Sequence, residues 1–307
     1  MAFRPPSFRA IAKDFGAALQ DFQRSNSSFR VLKTIRSSTP ISQDASTPTS
    51  DETPRTLFIL DSSFNPPSIA HRSLAIAALR NRHSVLCPKP HRLLLLFATR
   101  NADKAPSAAE FAERLTLMSA FATDLIESLA TYAAETDLAP VDIGVTTVPF
   151  FIDKTAAIER EGTHWYRDRP KHVHLVGYDT LTRIFTPKYY TTHDPPLSAL
   201  APYFQGGHRL SVTLRPRGNM GDSEAQKSFV TRLAAGSLET AGASKEWADQ
   251  IEVNPPSHMG DISSTRIRKA ANREDWAEVS RLTTRSVADC VRSNSLYGDD
   301  DSGAKTA

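Results

Sequence analysis

Residues 56–71 read TLFILDSSFNPPSIAH. The first five residues, Thr56–Leu60, form a short β-rich run that predicts a buried strand. The Ser-Ser-Phe-Asn-Pro-Pro stretch that follows cannot be helical, because the residue before each proline is pushed out of the α region. A helix is expected from Ser68, its N-cap candidate, to Arg82. A strand, an abrupt turn and a helix start therefore follow one another within sixteen residues.

The turn in this stretch is a candidate phosphate site. It exposes backbone N–H groups from Ser62 to Asn65, and the helix N-terminus adds its own N–H groups and the positive end of its dipole. His71 lies three residues beyond Ser68, so the two side chains share one face of the first helical turn. Exposed amides, a hydroxyl and an imidazole suit phosphate oxygens. A proline-rich turn with a surface histidine is the alternative.

A second stretch, residues 260–269, reads GDISSTRIRK. Ser263 is a good N-cap, and the first two turns of the helix are crowded with hydroxyl and basic side chains from Ser264, Thr265, Arg266, Arg268 and Lys269. Cations at a helix start oppose the dipole, and a bound polyphosphate would reverse that penalty. A capped helix with a solvated basic face is the alternative.

Strand-like and helix-like stretches alternate around these two motifs. The expected strands are Thr56–Leu60, His91–Ala98, Asp142–Val148, His172–Val176, His208–Leu214 and Gln250–Val253. The expected helices are Ser68–Arg82, Ser107–Leu129, one beginning at Thr180–Phe185, Ala225–Gly236, Ser263–Ala271 and Glu274–Asn294. The alternation predicts an α/β fold with a parallel sheet and helices on both faces. Ligands in such folds bind beyond the carboxyl ends of the strands, where strand order reverses.

Composition limits the class of protein. The chain has 307 residues, 40% of them apolar and 23% charged, which is ordinary for a soluble globular protein. The net charge of +3 gives no reason to expect a nucleic-acid partner. No apolar run approaches the roughly 20 residues that span a bilayer, so no membrane partner is expected. Two distant cysteines, Cys87 and Cys290, suggest a reducing compartment, with cytosol or nucleus favoured.

The N-terminal 36 residues are predicted to form an amphipathic helix docked on the main domain, with apolar positions spaced three and four apart. A mitochondrial transit peptide is the alternative, although Asp14 and Asp21 count against it. Residues 37–55 are rich in Ser, Thr and Pro and are predicted to be a flexible linker. The main domain is expected at 56–295, and an acidic, disordered tail at 296–307.

The two motifs together resemble a known family. TLFILDSSFNPPSIAH resembles the G-x-F-N-P…T/H-x-x-H signature of the nucleotidyltransferase α/β phosphodiesterase superfamily, and ISSTRIR resembles its I-S-S-T-x-x-R signature. Their order and spacing of about 190 residues resemble the nicotinamide mononucleotide adenylyltransferases. The segments LLLLFATRNADK, VGYDTLTRIFTPKYY and FRVLKTI are similar to a divergent fungal branch. The resemblance covers roughly residues 8–295 and implies a Rossmann-like, doubly wound nucleotidyltransferase fold with an N-terminal helix.

The resemblance implies a set of ATP-binding positions. Backbone groups around Ser63 and Phe64 would line the ATP site, while Ser68 and His71 would contact the triphosphate. Gly177 and Asp179 look like the family's G-x-D, whose acid holds a ribose hydroxyl. The β- and γ-phosphates would be held by Ser263, Ser264, Thr265 and Arg268.

Two further positions concern the mononucleotide. Lys104 falls where the family has a lysine near the mononucleotide phosphate, and His71, Arg268 and Lys104 form the implied catalytic set. Trp165 could stack on the nicotinamide ring, or could be a hydrophobic lid.

The implied reaction transfers AMP from ATP to nicotinamide or nicotinate mononucleotide, with pyrophosphate as the leaving group. No protein nucleophile is needed, so catalysis would be positioning and charge stabilisation. Mg²⁺ would be carried by the phosphates, mostly through water, with no protein metal site. Another phosphorylated substrate with a cytidylyl donor is a second reading. A third is a degenerate protein that binds or slowly hydrolyses ATP and acts through a protein partner. The oligomeric state is left open.

The chain departs from the family pattern at Ser62, where the family usually has glycine. Serine is unfavourable there if the position needs a positive φ or very close approach of phosphate to the backbone. Ser68 keeps the hydroxyl of the family's threonine, and Ala70 replaces a glycine. Two other features remain open to two interpretations each. Lys154 is either a phosphate contact or a solvated lysine. His172 and His174 are either part of a metal site or ordinary strand histidines.

Overall fold

The computed structural model describes residues 7–37, 53–80, 86–99, 108–131, 139–216, 223–256 and 262–298. The strands are β1 Phe29–Ile35, β2 Thr56–Asp61, β3 His91–Ala98, β4 Val141–Thr146, β5 Lys171–Gly177, β6 Arg209–Thr213 and β7 Ile251–Asn254. The helices are α1 Phe8–Arg24, α2 Ile69–Arg80, α3 Ala108–Ala130, α4 Phe151–Glu161, α5 Tyr178–Ile184, α6 Ala201–Gln205, α7 Ser223–Ala234, α8 Ser264–Asn272, α9 Trp276–Leu282 and α10 Arg285–Ser293.

The seven strands form one sheet in the order β1-β4-β3-β2-β5-β6-β7. Strand β1 runs antiparallel to β4, and every other pair is parallel. When only the parallel strands are numbered along the chain, their order is 3-2-1-4-5-6, which is the doubly wound Rossmann order. The predicted fold class is confirmed. Strand order reverses between β2 and β5, where Thr56 pairs with both His91 and Lys171.

Strand β2 shows why the sequence folds this way. Phe58 and Leu60 belong to the apolar core on one face of the sheet, and Leu57 and Ile59 belong to the core on the other face. This alternation is the period-2 geometry of a strand that is covered on both sides. The continuous apolar run therefore fixes β2 in the middle of the sheet, and its polar end at Asp61 marks the edge where the strand leaves the core.

The N-terminal segment contains more than the predicted helix. Helix α1 is capped by the Ser7 hydroxyl and buries Phe15, Leu19 and Phe22 against the main core. After it, Phe29–Ile35 forms the antiparallel edge strand β1, which the sequence analysis did not predict. Most of the expected linker, residues 38–52, lies outside the described residues, as do residues 299–307.

The C-terminal segment also differs from its prediction. The Ser263 cap is confirmed, since its hydroxyl accepts from the Arg266 N–H at the start of α8. The single helix expected over Glu274–Asn294 is wrong, because α9 and α10 are separated by Thr283, whose backbone is extended. The chain then continues past the expected boundary at 295, with Leu296 and Tyr297 packed against the core.

Helix α4 was also missing from the sequence prediction. It begins directly after the exposed Phe150 and packs on the sheet face that carries Leu57 and Ile59. In the segments that the structure describes, no helix combines the length and apolar character needed to cross a bilayer.

Candidate active site

A cavity of about 290 Å³ opens beyond the carboxyl ends of the central strands. Its walls come from Leu60–Ser62 at the end of β2, 175–177 at the end of β5, 213–215 at the end of β6 and 262–264 before α8. Strands β2 and β5 are the pair at which the strand order reverses, so the cavity lies at the topological switch point where doubly wound folds bind ligands.

His71 is the imidazole at the floor of this cavity. Its Nδ1 accepts a hydrogen bond from the backbone N–H of Ser68 at 3.0 Å, and the Ser68 hydroxyl lies 2.9 Å from the same nitrogen. A backbone N–H can only donate, so the ring proton is assigned to Nε2. Nε2 in turn donates to Ser62 Oγ at 2.9 Å. Burial lowers the pKa of His71 to about 4, so the imidazole is neutral at pH 7 and donates through Nε2.

The turn between β2 and α2 is built around Phe64. This side chain is fully buried, its φ is 44°, and its ring centroid lies 5.1 Å from that of His71. Phe64 therefore packs against the imidazole and does not itself line the cavity. Ser62 is not among the described residues with positive φ. The backbone at that position consequently accepts serine without the strain considered from the sequence.

The second motif meets this turn directly. Ser264 Oγ donates to the Pro66 carbonyl at 2.8 Å, and Arg268 Nη1 donates to the Asn65 carbonyl at 2.8 Å. Ser263 and Ser264 also line the cavity. The N-termini of α2 and α8 thus face one space, although the two motifs are separated by about 190 residues of sequence.

The basic side chains of α8 are mostly engaged within the protein. Arg266 forms an ion pair with Glu278 on α9, in which Nε and Nη2 both donate to Oε1, with Nε 2.8 Å from that oxygen. Arg268 is held by Asn65 and by Thr265 Oγ1 at 3.3 Å. Neither Thr265 nor Arg268 lines the cavity, so in this structure the Arg268 guanidinium holds the turn in place. Its contact with phosphate stays a prediction and requires the side chain to reorient.

Two donors that the sequence analysis missed complete the support of the turn. Thr283 Oγ1 donates to the Pro67 carbonyl at 2.6 Å, and the Tyr297 hydroxyl donates to Asn65 Oδ1 at 2.8 Å. The break between α9 and α10 is what places Thr283 under the turn. Nothing in the local pattern of either residue pointed to these contacts.

The cavity lining contributed by β5 and α5 includes Gly177 and Asp179. A Cβ at Gly177 would lie 2.8 Å from Asp179 Oδ1, so any other residue at this position would displace the carboxylate. The same oxygen accepts from Arg215 Nε at 3.3 Å and Nη2 at 3.1 Å. Arg215 lines the cavity and was also missed, although its signal is visible as a basic residue just past a strand end.

Other predicted positions lie away from the cavity or outside the described chain. Lys104 falls outside the described residues. Trp165 is not a lining residue, and its ring packs edge-on against Phe29 with centroids 6.2 Å apart. Ser63 lies within the turn, where it is exposed, and is likewise not part of the lining.

Lys154 is not the solvated lysine that one reading of the sequence suggested. It is buried, and its Nζ lies 2.5 Å from Asp61 Oδ2 at the end of β2.

His172 and His174 are buried on β5. The His172 ring stacks on that of His208, with centroids 4.5 Å apart, and His174 Nδ1 lies 3.0 Å from the Tyr203 hydroxyl. Burial lowers the pKa of both β5 histidines well below the ordinary range.

A Rossmann-ordered sheet with two helix N-termini at its switch point defines the class of an α/β nucleotide-binding protein. The chain is 27% identical over 238 residues to a Schizosaccharomyces pombe protein that carries the provisional name nicotinamide mononucleotide adenylyltransferase. That match covers 77% of this chain and 84% of the yeast protein. The resemblance to this family, first seen in the two motifs, is thereby confirmed. No protein-family model matches the chain.

Two solved structures of Plasmodium falciparum nicotinic acid mononucleotide adenylyltransferase are also similar. The complex with NaAD has 13% identity and a TM-score of 0.48, and the complex with APC has 12% identity and a TM-score of 0.45. Each match covers 80% of this chain and 98% of the other. Both TM-scores lie below 0.5, so the strand order described above, and not these matches, establishes the fold.

Proposed function

We propose that the protein transfers AMP from ATP to nicotinamide or nicotinate mononucleotide and releases pyrophosphate. One observation carries the proposal: Ser264 and Arg268 of the second motif hydrogen-bond to the turn of the first, so two phosphate-type helix starts share one cavity. The name of the yeast relative supports the same activity.

The residues suit an in-line displacement at the α-phosphorus of ATP. The phosphate oxygen of the mononucleotide would form a bond to that phosphorus while the bond to the pyrophosphate oxygen breaks. His71 is neutral and donates through Nε2 to Ser62 Oγ, and this pair would face charge at the reacting phosphate from the α2 side. Ser263 and Ser264 at the α8 N-terminus would bind the leaving pyrophosphate. Catalysis is then positioning and electrostatic stabilisation.

Asp179 would hold the ribose of ATP from the β5 side. Its carboxylate borders the cavity, and one of its oxygens is already fixed by Arg215. Both hydrogen bonds from the Arg215 side chain to Asp179 reach Oδ1, so within the part of the chain that the structure describes Oδ2 is left to accept from a ribose hydroxyl.

Mg²⁺ would accompany the phosphates, where it neutralises their charge. Two carboxylates line the cavity, and each is paired with a cation: Asp61 with Lys154 and Asp179 with Arg215. Among the described residues, no group of three His, Cys, Asp or Glu side chains could hold a metal ion. This donor set fits an ion held mainly by phosphate oxygens and water. The cytosolic or nuclear location stays a prediction.

A coupled assay tests the proposal. Purified protein is mixed with Mg²⁺, ATP and either mononucleotide, and both pyrophosphate and dinucleotide are measured. We expect the two products in equal amounts, and much slower turnover when CTP replaces ATP. A His71→Ala variant with an unchanged melting temperature provides the control for contaminating activity. Folded protein that binds ATP but yields no dinucleotide with either mononucleotide would contradict the proposal.

A further inference from the structure

Ser62 replaces a glycine expected from the resemblance, and the structure gives its hydroxyl a defined place. The Oγ lies 2.9 Å from His71 Nε2 and lines the cavity. The backbone is fixed as well, because the Ser62 N–H donates to the Leu96 carbonyl of β3 at 3.2 Å. The hydroxyl therefore sits between the imidazole and the space where phosphate is expected.

The direction of this hydrogen bond determines what Ser62 can do. His71 Nδ1 is occupied by the Ser68 N–H, so the proton on Nε2 is donated to Ser62 Oγ. The serine oxygen is thus the acceptor, and its own O–H proton is not used by His71. Across the segments that the structure describes, the Ser62 hydroxyl makes no other hydrogen bond with the protein, which leaves this proton free to point into the cavity.

We propose that Ser62 is a further phosphate-binding residue, which donates its O–H to a non-bridging phosphate oxygen of the bound nucleotide while it accepts from His71. The inference rests on the proposed function for the identity of the ligand. Donation from His71 polarises the serine hydroxyl and strengthens its bond to the anion, as in other chains of hydrogen bonds. The imidazole would act on the phosphate through the serine and not by direct contact.

This arrangement also excludes a covalent role for Ser62. A serine nucleophile needs a neighbouring base with a free lone pair, and the nitrogen facing Ser62 carries a proton. His71 could accept the serine proton only if Ser68 gave up its bond to Nδ1. The pair Ser62–His71 is therefore a donor relay, with no bond made to the adenylyl group.

A double-mutant cycle tests the relay. Ser62→Ala, His71→Ala and the double variant are compared by kcat/KM for ATP, with Ser62→Thr as the variant that keeps a hydroxyl. Ser128→Ala is the matched control, because within the described part of the chain the Ser128 hydroxyl bonds only to the Asp124 carbonyl of its own helix. We expect a loss of about 10- to 100-fold for Ser62→Ala, the range for a hydrogen bond to a charged group. Ser62→Thr should stay within about threefold of wild type. The His71→Ala loss should largely disappear in the Ser62→Ala background.

Two outcomes would overturn the relay: Ser62→Ala within twofold of wild type, or additive losses from Ser62 and His71. Calorimetric affinity for a non-hydrolysable ATP analogue, measured on the same variants, does not depend on turnover. If the wild type binds the analogue but makes no dinucleotide, the proposed function fails while these affinities still decide the role of Ser62.

Histidine ¹⁵N spectra test the direction of the hydrogen bond between His71 and Ser62 independently. A His71 ring protonated on Nδ1 in the free protein would contradict the stated direction of the bond.

Discussion

The support of the phosphate turn by Thr283 can be measured with one pair of variants. Thr283 is 3% exposed, and its hydroxyl donates to the Pro67 carbonyl at 2.6 Å. Thr283→Val keeps the shape of the side chain and removes this donor. The Pro67 carbonyl then loses this partner, which costs about 1–3 kcal/mol of unfolding free energy. Because Pro67 directly precedes Ser68, which orients His71, the KM for ATP should rise as well.

Thr284 supplies the matched control. It is the next residue, it is 2% exposed, and its buried Oγ1 has no hydrogen-bond partner among the residues that the structure describes. Thr284→Val removes an unsatisfied polar group, so it should leave the unfolding free energy unchanged or raise it. Urea unfolding of both variants and the wild type at pH 7.5 gives the change in unfolding free energy for each substitution, and the slope m is compared with that of the wild type. The reasoning is refuted if Thr284→Val destabilises the protein as much as Thr283→Val.

Three further predictions concern charge and pH. Burial raises the pKa of Glu161, but hydrogen bonds from neighbouring hydroxyl, guanidinium and backbone groups outweigh it and lower the pKa to about 2. Glu161→Gln should therefore cost about 1–3 kcal/mol at pH 7, with the difference from wild type shrinking as pH falls below 4.5 in urea titrations. Burial lowers the pKa of His172 and His174, so the unfolded chain binds more protons and the unfolding free energy should decrease as pH falls below 6.5. The decrease approaches about 1.4 kcal/mol per pH unit for each of these two histidines. Asp179→Asn should raise the KM for ATP about tenfold with little change in melting temperature, and an unchanged KM would remove Asp179 from the ribose site.

The parts of the fold that the sequence predicted are those encoded by local patterns. The apolar run and the prolines at 56–67 predict a strand and a turn, and the Ser263 cap predicts a helix start. Alternation of such elements was sufficient for the parallel sheet. The family resemblance then suggested that the two motifs share one site, and the hydrogen bonds from Ser264 and Arg268 to the turn bring them together.

The parts that sequence reasoning missed depend on partners far along the chain. Strand β1 exists because it pairs with β4, more than one hundred residues later. The basic face of α8 looked available for phosphate because Glu278, the partner of Arg266, lies on a different helix. The sequence left Lys154 open between a phosphate contact and a solvated lysine for the same reason, since its partner Asp61 lies 93 residues away. The periodicity of a local stretch of sequence cannot predict contacts between residues that lie so far apart in the chain.

The dependence of the early turn on late residues has a consequence for synthesis. Asn65, Pro66 and Pro67 emerge from the ribosome roughly 200 residues before the side chains that hold their polar groups, namely Ser264, Arg268, Thr283 and Tyr297. The sheet can therefore assemble during translation while the nucleotide pocket stays unfinished. A nascent chain that halts before residue 264 would have a folded sheet but an incomplete nucleotide site. ATP could therefore not stabilise that intermediate by binding to it.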